Sequence, residues 1–339
     1  MSLFGPNEIT CVDVGTGGIK AVCIKPGGRP RLTAATLVDF SPEGGPAQAA
    51  SGLRTLLSGK KIGRKNVFTV MPSRAITIRP LSLPKMPLPE LREAVRWEAK
   101  RHISYALEEA FVEYIITGER QEGAVDKYDL VLVAAEQSKI RDHLRPFEEA
   151  GMSVAVVDAN ALVLRNSLFL QNRTAPSEIL AIDIGAGNME INIFKDGTLR
   201  FSRCLETGGN DITRLVAEHL NISMEAAEAA KRDLRIVPAS PDTTIATVTS
   251  RLDALLMEIR RSAEYYRTTC REKGVEYAVL SGGAVLMNGL PEYFSAALGL
   301  RVELWNPFEP LERNAAIDRE LGAAAPRFSA AVGLALRNA

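Results

Sequence analysis

Two stretches half a chain apart carry one local plan, and any fold for this chain has to accommodate both. Ile9–Lys25 reads Ile-Thr-Cys-Val-Asp-Val-Gly-Thr-Gly-Gly-Ile-Lys-Ala-Val-Cys-Ile-Lys, and Glu178–Lys195 reads Glu-Ile-Leu-Ala-Ile-Asp-Ile-Gly-Ala-Gly-Asn-Met-Glu-Ile-Asn-Ile-Phe-Lys. Each is an apolar run, a glycine turn beginning Asp-x-Gly, and a second strand-like run. In the later copy the alternation of Ile191 and Ile193 predicts a strand with one buried face.

A doubled hairpin of this kind has a chemical use. Glycines leave no β-carbon in the way, so backbone N–H groups can converge on a phosphate, and a nearby carboxylate can hold a divalent cation through water. Two such loops facing each other would grip a polyphosphate from both sides. A single Gly-rich turn after a strand is more often only a hairpin, so the weight rests on the pairing and on the elements downstream of each copy.

Those downstream elements repeat as well. After the first hairpin come a third strand to Phe40, a helix over Pro46–Leu57, and strands over Val67–Met71 and Ala75–Leu83. Pro89, in the first turn, opens a helix that the pattern carries to about Ile103. A strand over Ala110–Thr117, another over Asp129–Ala135 and a helix over Gln137–Ala150 come next. The strand Ser153–Val157 and the helix Ala159–Leu170 then lead to the second hairpin.

The second half runs strand, strand, strand and then Thr207-Gly208-Gly209-Asn210-Asp211 at a helix start. Beyond it lie a helix with Ser223 as its N-cap, a long one over Thr244–Lys273 and a strand ending at Ser281-Gly282-Gly283-Ala284. Two strand-strand-strand-helix starts predict a duplicated α/β fold with a cleft between two lobes. The expected division is 1–84 and 127–172 for the first lobe, 85–126 for a small α+β insert, and 173–325 for the second lobe. The last helix, 326–339, is expected to pack back on the first lobe.

Lysine plus arginine balance aspartate plus glutamate at 41 each, so bulk charge gives no reason to expect a nucleic-acid or membrane partner. The four cysteines include no C-x-x-C pair, which fits a reducing cytoplasm. The amino end lacks the pattern of a signal peptide, and no apolar run reaches the roughly 18 residues of a membrane span.

In chain order the motifs are Asp13-x-Gly15-Thr16-Gly17-Gly18 with Lys20, Asp158 before a helix, Asp183-x-Gly185-Ala186-Gly187-Asn188, Glu228-x-x-Lys231, and Ser281-Gly-Gly-Ala. This order resembles the actin-like ATPase superfamily. Within it, Leu83-Pro-Lys-Met-Pro-Leu-Pro-Glu…Ala-Val-Arg-Trp-Glu-Ala, Gly208-Gly-Asn, Leu290-Pro-Glu-Tyr-Phe and the ending Ala330-Ala-Val-Gly-Leu-Ala-Leu-Arg resemble the PilM family of type IV pilus assembly proteins, near the FtsA-like branch.

The resemblance implies two RNase H-like lobes around a nucleotide cleft. ATP would lie on Asp13–Lys20 and Asp183–Asn188, with Gly208, Gly209 and Asn210 beside it. Glu228 and Lys231 would border adenine and ribose, and Gly282, Gly283 and Ala284 would lie against the purine. Mg²⁺ would be held by Asp13 and Asp183 through water. Asp158 stands 25 residues before Asp183, near the spacing of a water-orienting carboxylate in the chaperone relatives; Asp13 is the other catalytic candidate, and a plain helix cap is the alternative for Asp158.

The family further implies a cytoplasmic adaptor, peripheral to the inner membrane. It would dock the N-terminal cytoplasmic tail of the membrane protein PilN, meet other inner-membrane pilus components and pilus motor ATPases, and form homo-oligomers. Trp97, Ile103, Tyr105 and Phe111 are the candidate groove, with insert core as their alternative. Three rivals are open to the same residues: a sugar-type kinase using Asp158 as base, an FtsA-like filament protein, and an aspartic protease in which Asp13 and Asp183 share a proton.

Overall fold

The computed structural model describes residues 8–41, 48–59, 62–171, 177–237, 240–270 and 272–337. Its first third runs β1 (Ile9–Gly15), β2 (Gly18–Lys25), β3 (Arg31–Asp39), α1 (Gln48–Gly59), β4 (Val67–Met71), β5 (Ile76–Pro84) and α2 (Leu88–Ala99). Then come β6 (Ala110–Glu122), β7 (Val125–Glu136), α3 (Gln137–Glu149), β8 (Val154–Ala159) and α4 (Asn160–Gln171). The second half is β9 (Glu178–Ile184), β10 (Met189–Lys195), β11 (Thr198–Leu205), α5 (Gly209–Leu220), α6 (Met224–Asp233), α7 (Thr243–Cys270), β12 (Tyr277–Ser281), α8 (Leu290–Leu298), β13 (Arg301–Leu304), α9 (Ala315–Leu321) and α10 (Ser329–Ala335). Residues 46 and 47, which begin the expected first helix, lie outside the described residues, as do 42–45, 172–176 and 338–339.

The duplication is visible in the sheets. One has the order β3-β2-β1-β4-β8 and the other β11-β10-β9-β12-β13. In each, a meander of three antiparallel strands is followed by two strands added parallel to the first. Parallel strands covered on both faces are buried throughout, and β12 is buried at every position.

A third sheet, β5-β7-β6, stands apart from both. It spans residues 76–136, so β5, which precedes the expected insert limit at 85, and β7, which runs past the limit at 126, pair with each other and, through β7, with β6, and not with the first lobe's sheet. Leu91, Val95 and Ala99 of α2 pack on Leu130 and Leu132 of β7 to make its core. The i, i+4 spacing of those helix residues puts them on one stripe. The helix stops at Ala99 and not at Ile103, because the next amides turn back on Glu98 and Ala99.

Between the lobes runs α4. Ala161, Leu164 and Leu168 pack against Ile179, Ala181, Phe194 and Trp305 of the second lobe, and the Trp305 Nε1–H donates to Ser167 Oγ at 3.3 Å. On its other side α10 comes so close that a β-carbon on Gly333 would stand 2.2 Å from the Val163 carbonyl oxygen. The Asn166 Nδ2–H donates to the Gly333 carbonyl at 2.9 Å.

The half-buried strand expected at residues 189–195 is instead buried on both faces, including Glu190 and Asn192 of β10. Met189, Ile191 and Ile193 enter the second lobe's core, whereas Glu190 and Asn192 point the other way, toward α4 and the first lobe. The alternating polar residues mark the boundary between lobes and not a solvent face.

Candidate functional site

A cleft of about 690 Å³ opens between the lobes, within the range of small-molecule sites. Its lining includes Asp13, Gly15, Thr16, Gly17, Lys20, Asp183, Gly185, Ala186, Asn188, Gly209, Asn210, Glu228, Lys231, Gly282, Gly283 and Ala284. Residues named from five separate stretches of sequence are thus gathered around one volume.

The two glycine hairpins meet. A β-carbon on Gly17 would stand 2.8 Å from Ala186 Cβ, and one on Gly187 would stand 3.1 Å from Thr16 Oγ1. Only glycines let the loops of the two lobes approach this closely. The second loop is clamped from below, where the Gly209 N–H donates to the Gly185 carbonyl at 2.9 Å and the Asn210 N–H to the Ala186 carbonyl at 2.8 Å. These first-turn amides of α5 therefore hold the loop in place instead of facing a ligand. Gly208 fits the same junction, since its β-carbon would be 2.7 Å from the Gly185 oxygen. Gly18, Gly187 and Gly208 shape the loops without lining the cleft.

At the Ser281 turn the requirement is conformational. Gly282 has φ of +97°, and a β-carbon there would lie 2.3 Å from the Ile184 carbonyl oxygen. That position places Gly283 and Ala284 against the cleft.

The carboxylates differ in their surroundings. Asp13 pairs with Lys20, its cross-strand partner, at 3.1 Å. Asp183 is raised above the usual carboxylate range by burial, with a hydrogen bond from Ser281 Oγ at 2.6 Å and the Lys20 charge opposing and the Asp13 charge assisting. Among the described residues no three acidic, histidine or cysteine side chains converge as a metal cluster. A cation here would be held by two carboxylates at most, with water and phosphate oxygens completing its shell.

Glu228 and Lys231 form more than a surface ion pair. Lys231 is 4% exposed, and its ammonium donates to Glu228 at 2.5 Å, Thr213 Oγ1 at 2.8 Å and the Gly209 carbonyl at 3.2 Å. All three donors are used, so α6 is tied to the first turn of α5. Burial lowers the Lys231 pKa despite Glu228. Glu228 is itself held low, because the lysine charge and its hydrogen bonds outweigh burial.

Several cleft residues belong to none of the sequence motifs. Glu190 is buried and accepts hydrogen bonds from Ser73 Oγ and, at 2.8 Å, from Asn160 Nδ2. Both donors belong to the first lobe, so the carboxyl bridges the lobes. Burial first, and the Asp183 charge second, push its pKa up to about 7. Asn160 is 8% exposed and lines the cleft with an Oδ1 that has no partner. His143, bonded to Thr69 Oγ1 at 3.1 Å, is brought down to about 4 by burial and is neutral beside Asp13.

Asp158 does not line the cleft. It lies in β8, accepts from the Ala159 N–H at 2.7 Å and pairs with Arg337 at 3.2 Å, and burial raises its pKa. The groove candidates sit on α2, the α2–β6 connection and β6. Trp97 is 63% exposed and Phe111 51%, while Ile103 and Tyr105 are half-buried. None of the four belongs to the small sheet's core.

The model of the family described as type IV pilus assembly protein PilM matches residues 45–339. The chain belongs to that family. Its structure superposes on that of a PilM-PilN type IV pilus biogenesis complex with a TM-score of 0.85, at 28% identity over 98% of each chain. It also matches the ethanolamine utilization protein EutJ from Carboxydothermus hydrogenoformans, with a TM-score of 0.60 at 15% identity over 99% of this chain and 91% of that one. MreB 5 of Spiroplasma citri bound to AMPPNP gives 0.50 at 14%, over 96% and 94%. These last two likenesses establish the fold alone, the actin-like ATPase fold, which removes the all-β aspartic protease.

Among curated proteins, cell division protein FtsA of Neisseria meningitidis is 29% identical over 178 residues, 46% of this chain and 41% of FtsA. The Bacillus subtilis FtsA is 29% identical over 103 residues, 30% of this chain and 23% of that protein. The chain spans less than half the length of these curated relatives. Among the described residues no helix is long and apolar enough to cross a membrane.

Proposed function

We propose that the chain is an ATP-binding adaptor of type IV pilus assembly. The observation that carries the nucleotide reading is the contact between the two glycine loops, Gly17 against Ala186 and Gly187 against Thr16, at a cleft of nucleotide size. The donor set fits a nucleoside triphosphate. Gly15–Gly17 of the first loop and Ala186 and Asn188 of the second offer backbone to phosphates, Gly282–Ala284 offer a flat, β-carbon-poor wall to a purine, and the α5–α6 clamp of Lys231 and Glu228 closes the side. Mg²⁺ would be held near Asp13 and Asp183 through water and would neutralise phosphate charge. The unpartnered Asn160 oxygen is the acceptor placed to hold a water at the cleft, a role that Asp158, paired with Arg337, is not placed to fill. ATP then serves as a slowly hydrolysed switch or as a ligand that holds the lobes together by mass action.

The partner reading rests on the small sheet. β6 is an edge strand whose outward residues Phe111, Glu113 and Ile115 are exposed, which suits an extended peptide laid along it. The similar structure named above is a complex with PilN, and the N-terminal cytoplasmic tail of a PilN-type inner-membrane protein is the proposed occupant. On this reading residues 85–126 and the flanking β5 and β7 form the docking subdomain. The lobes on either side form the nucleotide-binding body, peripheral to the membrane through its partner.

Calorimetric titration with a peptide of that tail, with and without Mg-ATP, tests the adaptor. Binding at micromolar strength that Trp97→Ala or Phe111→Ala weakens is expected. Uptake of ATP without any peptide binding would contradict it.

A further inference from the structure

Among the described residues the cleft is lined by five permanently basic side chains, and four of them are already paired. Lys20 is held by Asp13 at 3.1 Å, Lys231 by Glu228 at 2.5 Å, Arg232 by Glu228 at 3.4 Å, and Arg327 by Asp39. Arg74 is the fifth. Among the described residues its guanidinium makes no ion pair or hydrogen bond, and the residue is exposed to the cleft it lines.

Its position is fixed although its side chain is free. Arg74 lies in the 3₁₀ turn Ser73–Ala75 that follows β4, a turn closed by the Ala75 N–H on the Pro72 carbonyl at 2.8 Å. The adjoining Ser73 is anchored across the cleft by Glu190, the residue paired in register with Asp183 on the second loop's own hairpin. The Arg74 charge is felt at Cys204 on β11, the cross-strand neighbour of Glu190. Arg74 is thus a solvated, unpaired fork of donors in the cleft lining, next in sequence to the Ser73 that Glu190 anchors, just past the carboxyl end of a parallel strand where open α/β sheets bind ligands. A guanidinium matches the oxygens of a phosphate group in two-pronged fashion.

We propose that Arg74 binds the terminal phosphate of a nucleoside triphosphate seated on the two glycine loops, and so makes the cleft distinguish tri- from diphosphate. The inference rests on the nucleotide reading above and goes further, because it assigns the discrimination to one residue outside both loops.

The test is the affinity of the full chain for Mg-ATP and Mg-ADP, by calorimetry, for the wild type, Arg74→Ala and Arg74→Lys. Arg74→Ala is expected to weaken Mg-ATP by about tenfold or more, the loss of a charge-assisted contact, and to leave Mg-ADP within about twofold. Arg74→Lys, which keeps the charge without the fork, should lie between. Equal loss for both nucleotides, or no loss for either, overturns the assignment while leaving the nucleotide reading standing. A wild-type chain that binds neither nucleotide overturns both. Melting of the ligand-free variants guards against a folding effect, and no change is expected there because Arg74 holds no partner among the described residues.

Discussion

Replacing Glu190 by glutamine tests whether the cleft wall carries a proton. The side chain is 4% exposed, and its pKa is raised from 4.5 to about 7, by burial first and by the Asp183 charge second. The Ser73 and Asn160 donors favour the ionised form, so burial outruns them. Between those two values the folded chain keeps a proton that the unfolded chain has lost. Stability contributed by this group is therefore complete below about pH 4.5 and is lost as pH rises through about 7. At about 1.4 kcal/mol per tenfold change in proton affinity, the loss is roughly 3 kcal/mol. Glutamine keeps the shape, and its amide oxygen can still accept from Ser73 and Asn160. Urea unfolding of the metal- and nucleotide-free protein at about pH 5 and pH 8 is the assay. Glu190→Gln should gain on the wild type by up to about 3 kcal/mol on going to the higher pH. Parallel stability curves for the two proteins would refute the reasoning.

Gly282→Ala should destabilise the protein by about 2 kcal/mol or more, since the strain of φ +97° adds to a clash with the Ile184 backbone. It should also abolish nucleotide binding; urea unfolding and a Mg-ATP titration measure the two effects, and a variant matching the wild type in both would be contrary. Asn160→Ala should lower any ATP turnover, whereas Asp158→Ala should leave turnover and Mg-ATP affinity unchanged because its carboxylate already serves Ala159 and Arg337. Phosphate release assays compare them, and the reverse ranking would return the water-holding role to Asp158.

The parts of the candidate site that were legible in the sequence are those shaped by backbone geometry. Asp-x-Gly turns and the Ser281-Gly-Gly turn announce themselves because few residues other than glycine permit such approaches, and the repeat of strand order made the two-lobed fold readable. Side chains that act across the lobes were not legible. Glu190 alternates with Ile191 and Ile193 and so reads as solvent-facing, yet the face it points to is covered by α4 from the other half of the chain. Asp158 and Asn160 stand two residues apart at the β8–α4 junction, and spacing to Asp183 cannot choose between them; what spacing also could not foresee is that Asp158 turns to Arg337 while Asn160 lines the cleft. Arg74 carries no motif, and its meaning comes from the pairing of every other cation around it. The edge of the small sheet was equally hidden, because only strand order tells that β5 and β7 leave the first lobe to join β6.

The nucleotide cleft is the central claim, and direct titration of the purified chain with Mg-ATP, alongside Asp13→Ala, tests it most simply. Saturable binding by the wild type that Asp13→Ala loses is the predicted result. Unchanged affinity in Asp13→Ala, or no binding by the wild type, would contradict the two-loop site.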